Sequence, residues 1–197
     1  MTSEVVAKSN VWRGVNWPGI IAGMLIIALP FLGTWWRFML GTGAVVTALS
    51  PFSVYVSVFG ETMSSPLFWW LILGLKLGVV YLGVLLLTGS VLSVSNRHAA
   101  IAELFVRFSA RKLLWLVVAF VAALLIFIVL VNQLPELVGL PFRLQLPYLI
   151  GSSSFSTGVE GMQLTIPISM GFTRAFVIAV VAAALGVVAW LYQKRLL

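Results

Sequence analysis

Leu67–Leu92, LFWWLILGLKLGVVYLGVLLLTGSVL, holds a single charge, Lys76, in about 26 residues. An α-helix rises about 1.5 Å per residue, so about 20 of them cross the roughly 30 Å hydrocarbon core of a bilayer. The stretch therefore predicts a membrane-spanning helix. Trp69 and Trp70 stand near its start, where an aromatic belt sits at a membrane interface. Gly74 and Gly78 form a GxxxG, a spacing that lets a second helix approach closely. At about 100° per residue Lys76 lies about 200° round from Gly74, so one face packs while another carries charge.

Pro18–Trp36, Leu113–Val131 and Phe172–Leu191 are further apolar runs. Hydrophobic residues make up 61% of the chain and charged residues 9%. A soluble domain is roughly 25% charged, so the expected fold class is integral membrane, mainly α. It reads as one four-transmembrane-helix bundle over residues 1–197, with helices at about 18–37, 67–93, 113–133 and 172–192. Gly19 and Gly23 form a second GxxxG, and Pro30 reads as a kink in the first helix. That run has the apolar middle of a signal peptide. It lacks a small-residue cleavage site and ends in Trp35, Trp36 and Arg37, so a retained helix is expected. In the last run Ala175, Ala179, Ala182, Gly186 and Ala189 form a small-residue stripe suited to helix packing.

The connections between these runs alternate. Phe52, Val54, Val56 and Val58 interleave with Ser53, Tyr55 and Ser57, the period-two pattern of a strand with one apolar face. Ala44–Leu49 is expected to pair with it across Ser50–Pro51, giving an outer β segment at 44–59. Phe142–Ile150 and Met162–Ile168 alternate likewise within 142–168, with Pro147 and Pro167 at edge positions or bulges. Gly151–Gly158, GSSSFSTG, reads as the flexible turn between them. The two connections together predict a small antiparallel sheet of three or four strands, apolar side inward. On this reading Val56→Asp disrupts folding and Ser57→Asp is tolerated.

Val94–Lys112 holds Arg97, Arg107, Arg111 and Lys112 against Glu103 alone. Asn96 suits an N-cap, and Glu103 and Arg107 have the spacing of an i,i+4 ion pair. With no proline or glycine before Pro135, a basic helix at 97–112 either continues into the third span or lies separately on the inner surface near anionic lipid. Lys8, Arg13, Arg97, Arg107, Arg111, Lys112, Lys194 and Arg195 fall on one side of the spans. Arg37, Arg143 and Arg174 fall on the other. The larger set marks the cytoplasmic side, which predicts cytoplasmic N- and C-termini and a multi-pass cell-membrane protein with its strands outside.

The chain has no cysteine and no aspartate, and one histidine, His98. Disulfides, thiolate nucleophiles, iron–sulfur clusters and cysteine zinc sites are excluded, as are bis-histidine haem and two-histidine iron sites within one chain. Glu61, Glu136 and Glu160 read as solvated loop charges, and no catalytic residue, metal or cofactor is expected. The net charge of +7 lies beside the spans, so orientation explains it and nucleic acid is not an expected partner.

Lys76 is the sharpest candidate. No acid lies within any apolar run, and Asn132, Gln133 and Glu136 near the outer end of the third helix are placed to meet its raised head. A structural anchor is the favoured role; an intramembrane charge also suits a conduction or binding site. Four spans, inward termini and an outer sheet from two loops are similar to the claudin and tetraspan layout. The first outer segment is shorter here and that family's cysteine pair is missing. The expected function is a non-enzymatic accessory or scaffold protein. It would assemble through small-residue helix faces (Gly19, Gly23, Gly74, Gly78, Ala179, Gly186) and the β platform. Its partners would be the lipid bilayer and another membrane protein or a second copy of the chain. The alternative is a small channel or transporter using Lys76.

Overall fold

The computed structural model describes residues 15–63, 66–94, 98–138, 146–159 and 162–196. In chain order the elements are α1 (Trp17–Ala28), a 3-10 turn (Leu29–Phe31), β1 (Trp36–Leu40), β2 (Val45–Ser50), β3 (Ser53–Val58), β4 (Glu61–Met63), α2 (Pro66–Leu92), α3 (Ala99–Val138), β5 (Gly151–Val159), β6 (Met162–Phe172) and α4 (Arg174–Leu196). Among the described residues three stretches are long and apolar enough to cross a membrane: Trp69–Leu92, Ala99–Gln133 and Arg174–Arg195. Lys8, Arg13, Asn96, Arg97, Arg143 and Glu160 lie outside the described residues.

The first apolar run does not form one helix over the expected 18–37. Pro30 ends the α-helix rather than kinking it: with no N–H to offer the preceding turn, the chain tightens into the 3-10 turn. Gly33, at φ +96°, then takes a conformation open to glycine and turns the chain away. The helix and turn together reach about 24 Å. Trp36–Leu40 becomes a strand instead.

The third helix is continuous. Ala99–Val138 runs for 40 residues, so the basic segment from Ala99 and the third apolar run form one helix. With no helix breaker between Ala99 and Leu134, nothing interrupts the backbone ladder.

The chain divides into two compact units. The first comprises Met1–Leu32, Gly74–Val117 and Ile178–Leu197. Here the start of α1 lies beside the ends of α2 and α4. A Cβ added to Gly19 would collide with the Ser90 side chain and come within 3.3 Å of Ala189. Gly23 and Gly83 face each other where α1 crosses α2: a Cβ on Gly83 would stand 3.0 Å from the Gly23 carbonyl oxygen and from the Ile27 nitrogen. Gly89 sits as tightly on the first turns of α3, 3.0 Å from the Ala102 carbonyl oxygen by the same measure. The Gly186 position in α4 lies 3.5 Å from Ala110 of α3.

The second unit comprises Gly33–Leu73 and Val118–Val177. Its six-stranded antiparallel sheet has the order β4-β3-β2-β1-β6-β5, so the two connections share one sheet through β1 and β6. The sheet has six strands, not three or four, because Trp36–Leu40, Glu61–Met63 and Gly151–Val159 join the three expected segments that form strands. Trp36, Phe38 and Leu40 pair with Phe172, Met170 and Ile168, and Leu49 pairs with Trp36. This apolar side closes on Phe120, Leu124, Ile128 and Val131 of α3. Trp35, wholly buried, holds three edge-on aromatic contacts at 5.2–5.9 Å, to Phe52, Phe120 and Phe176. The two-residue turn from β3 to β4 uses Phe59 and Gly60, both at positive φ, the requirement of a type I′ hairpin.

Three strand expectations need correction. Gly151–Gly158 is not a turn; it lies in β5, paired with β6 from Gly151↔Met170 to Val159↔Met162. A serine-rich segment has weak strand preference, and the neighbouring strand overrides it. Within Phe142–Ile150, the described part from Leu146 is not a strand. Its polar backbone groups are met by side chains: Asn132 pairs both ways with Leu146, and the Trp36 indole donates to the Leu149 carbonyl at 2.9 Å. Finally, the burial expected for β3 is not the one found. Ser57 is 5% exposed and Val54 is 44% exposed. Ser57 is a small side chain on an inner strand between Val46 and Thr62, which overshadow it. Val54 lies on the apolar side, but three strands out from β6, where the cover supplied to β1 and β6 has ended.

Candidate functional site

The sequence candidates separate into distinct settings. Lys76 lies half-buried on α2 and forms no ion pair among the described residues. Asn132 is already committed: its Nδ2 donates to the Leu146 carbonyl at 3.1 Å and its Oδ1 accepts from the Leu146 N–H at 2.8 Å. Gln133 is exposed, and the Glu136 side chain lies outside the description. Asn132 thus works as a backbone substitute that ties a loop to α3.

The small residues divide into two groups. Gly19, Gly23 and Gly186 meet neighbouring helices, and Ala179 is wholly buried. Gly74 and Gly78 are exposed, and a Cβ on either would meet nothing within 4 Å. Their side of α2 is therefore unused among the described residues, and the close α1–α2 approach falls two turns later, at Gly83.

A polar knot that spacing did not reveal joins three helices. Asn16 is fully buried before α1. Its Oδ1 caps the helix by accepting from the Gly19 N–H at 3.1 Å. Its Nδ2 donates to the Ala189 carbonyl at 2.8 Å and to Gln193 Oε1 at 3.0 Å. The Asn16 N–H reaches the Ser90 carbonyl at 3.4 Å. Asn16–Trp17–Pro18, a capping residue followed by proline in the first turn, was the available signal. Gln193 gave none, because its partner lies almost the whole chain away.

The basic part of α3 forms the most chemically distinct surface. Arg107, Arg111 and Trp115 recur at helical spacing and line two adjoining cavities. One, of about 440 Å³, also takes in Phe108 and Lys112; the other, of about 450 Å³, reaches Leu114 on α3 and Val187 and Trp190 on α4. Lys112 Nζ stands 5.7 Å from the centre of the Phe108 ring, and Lys194 Nζ 4.8 Å from that of Trp190. Arg107 forms no ion pair among the described residues, so the pairing with Glu103 suggested by spacing is not made. Among the described residues no three His, Asp or Glu side chains converge on a metal-sized site. No family model matches the chain, and neither does any curated protein or solved structure. The likeness in layout to claudins accordingly rests on no match, and the short α1 leaves its four-span premise unsupported.

Proposed function

We propose that this chain is a non-enzymatic multi-pass membrane protein, an accessory or scaffold component that assembles through the open face of α2 and through its sheet. The observation that carries this is the vacant GxxxG: Gly74 and Gly78 have clear space beside them. Trp69, Trp70, Leu71, Leu77 and Tyr81 are exposed on the same helix. A small-residue notch among large apolar side chains is the form a helix–helix contact takes in lipid. The sheet adds Val54, Phe59 and Met63, all exposed. The absence of cysteine and aspartate, with one histidine, argues against an enzyme.

Three membrane-length helices support the membrane assignment. The start of α1 and the ends of α2 and α4 come together around Asn16, consistent with termini on one side, and the base count makes that side cytoplasmic. The transport alternative has less support, since Lys76 lines none of the cavities described above.

The test is Gly74→Leu combined with Gly78→Leu in lipid nanodiscs and in native membranes. The expected result is an unchanged fold with loss of the oligomer or of the co-purifying partner. Retention of the same assembly by the double variant would remove α2 as the assembly face.

A further inference from the structure

We infer that the groove between α3 and α4 binds one anionic phospholipid, with its phosphodiester held by Arg107 and Arg111 and an acyl chain laid over Leu114 and Val187. The inference rests on the membrane assignment above. Gly186, at the middle of the 23-residue α4, packs on Ala110 of α3. Arg107 and Arg111 flank Ala110 within one turn, so both lie beside α4 rather than beyond its end. They line the cavity of about 450 Å³ whose remaining walls are largely apolar. Both arginines are exposed beside apolar helix walls, and neither forms an ion pair among the described residues. Charge complementarity therefore selects the occupant.

The chemistry of the rim narrows it further. Guanidinium forks match phosphate oxygens two at a time, and their long stems let the charges rise toward a headgroup while the methylenes stay in apolar surroundings. Lys194 adds a cation over the Trp190 ring. Trp115 and Trp190 are the amphipathic side chains favoured where acyl chains meet headgroups. A soluble phosphate would satisfy the cations but would leave Leu114, Trp115 and Val187 without an apolar partner; a phospholipid satisfies both. Basic pockets between membrane helices are known to recognise anionic headgroups.

The experiment is native mass spectrometry of the full-length detergent-solubilised protein titrated with phosphatidylglycerol or phosphatidylcholine. One phosphatidylglycerol should be retained per chain in preference to phosphatidylcholine. Arg107→Gln and Arg111→Gln should each weaken retention about fivefold, while Arg37→Gln, on the sheet, should not. Excess glycerol phosphate should fail to displace the lipid; displacement would assign the site to a soluble phosphate and overturn the inference. Equal retention of the two lipids by the unaltered protein overturns it without recourse to any variant. So does an equal loss in Arg37→Gln, which would mean unspecific charge attraction. Extraction of the protein from cells without detergent would instead overturn the membrane assignment itself.

Discussion

Asn16 and Gln193, separated by 177 positions, share a 3.0 Å hydrogen bond in a setting closed to solvent. The same Asn16 amide caps α1 and donates to the Ala189 carbonyl, so one side chain joins the two ends of the chain's helical unit. Asn16→Leu leaves the Gly19 N–H and the Gln193 carbonyl oxygen unpaired and should cost about 2–4 kcal/mol. Asn16→Asp keeps the cap but loses both donations, and its carboxylate faces two oxygens; it should be no better. Thermal unfolding in detergent followed by circular dichroism measures both. A melting temperature unchanged in Asn16→Leu would show that the knot adds nothing to stability.

The α1–α2 crossing depends on backbone proximity. Gly83→Val places a branched side chain against the Gly23 carbonyl and the Ile27 nitrogen, neither of which is a flexible tip. It should destabilise the fold by roughly 1–3 kcal/mol. Gly74→Val, with open space around it, should change stability by under about 0.5 kcal/mol. Equal effects in the same unfolding assay would place the crossing elsewhere.

In β3 the ordering of substitutions differs from the one alternation implied. Ser57→Asp buries a carboxylate between Val46 and Thr62 and should cost about 3 kcal/mol. Val54→Asp, at an exposed position, should cost under about 1.5 kcal/mol. Resistance to limited proteolysis in the sheet unit separates the two. Greater damage from the Val54 change would restore the burial that alternation implied.

Asn132→Leu removes both partners of the backbone of Leu146, itself a buried residue. The expected cost is about 2 kcal/mol. Hydrogen exchange at the Leu146 amide should accelerate by at least tenfold, and unchanged exchange would mean that the loop is held by other contacts.

Much of this architecture was legible from local chemistry. An apolar stretch such as Leu67–Leu92 has no other low-cost state than a long helix, and an unbroken run from Ala99 onward allows one rod. Alternation in Phe52–Val58 and Met162–Ile168 announced strands because period two is a property of the chain alone, and Ala44–Leu49 was legible as the pairing partner of the first. What tertiary structure decided was everything requiring a partner. Trp36–Leu40 is as apolar as a helix end and becomes a strand because Pro30 and Gly33 release it between β2 and β6. Gly151–Val159 becomes a strand because β6 supplies its ladder. Both GxxxG motifs read alike in sequence, yet Gly23 meets Gly83 while Gly74 and Gly78 meet nothing among the described residues, since a motif states that close approach is permitted and not which helix makes it. Burial of Asn16 and Ser57 was settled the same way, by side chains and carbonyls brought from distant parts of the chain, where hydrogen bonding and cover are determined by packing rather than by residue type.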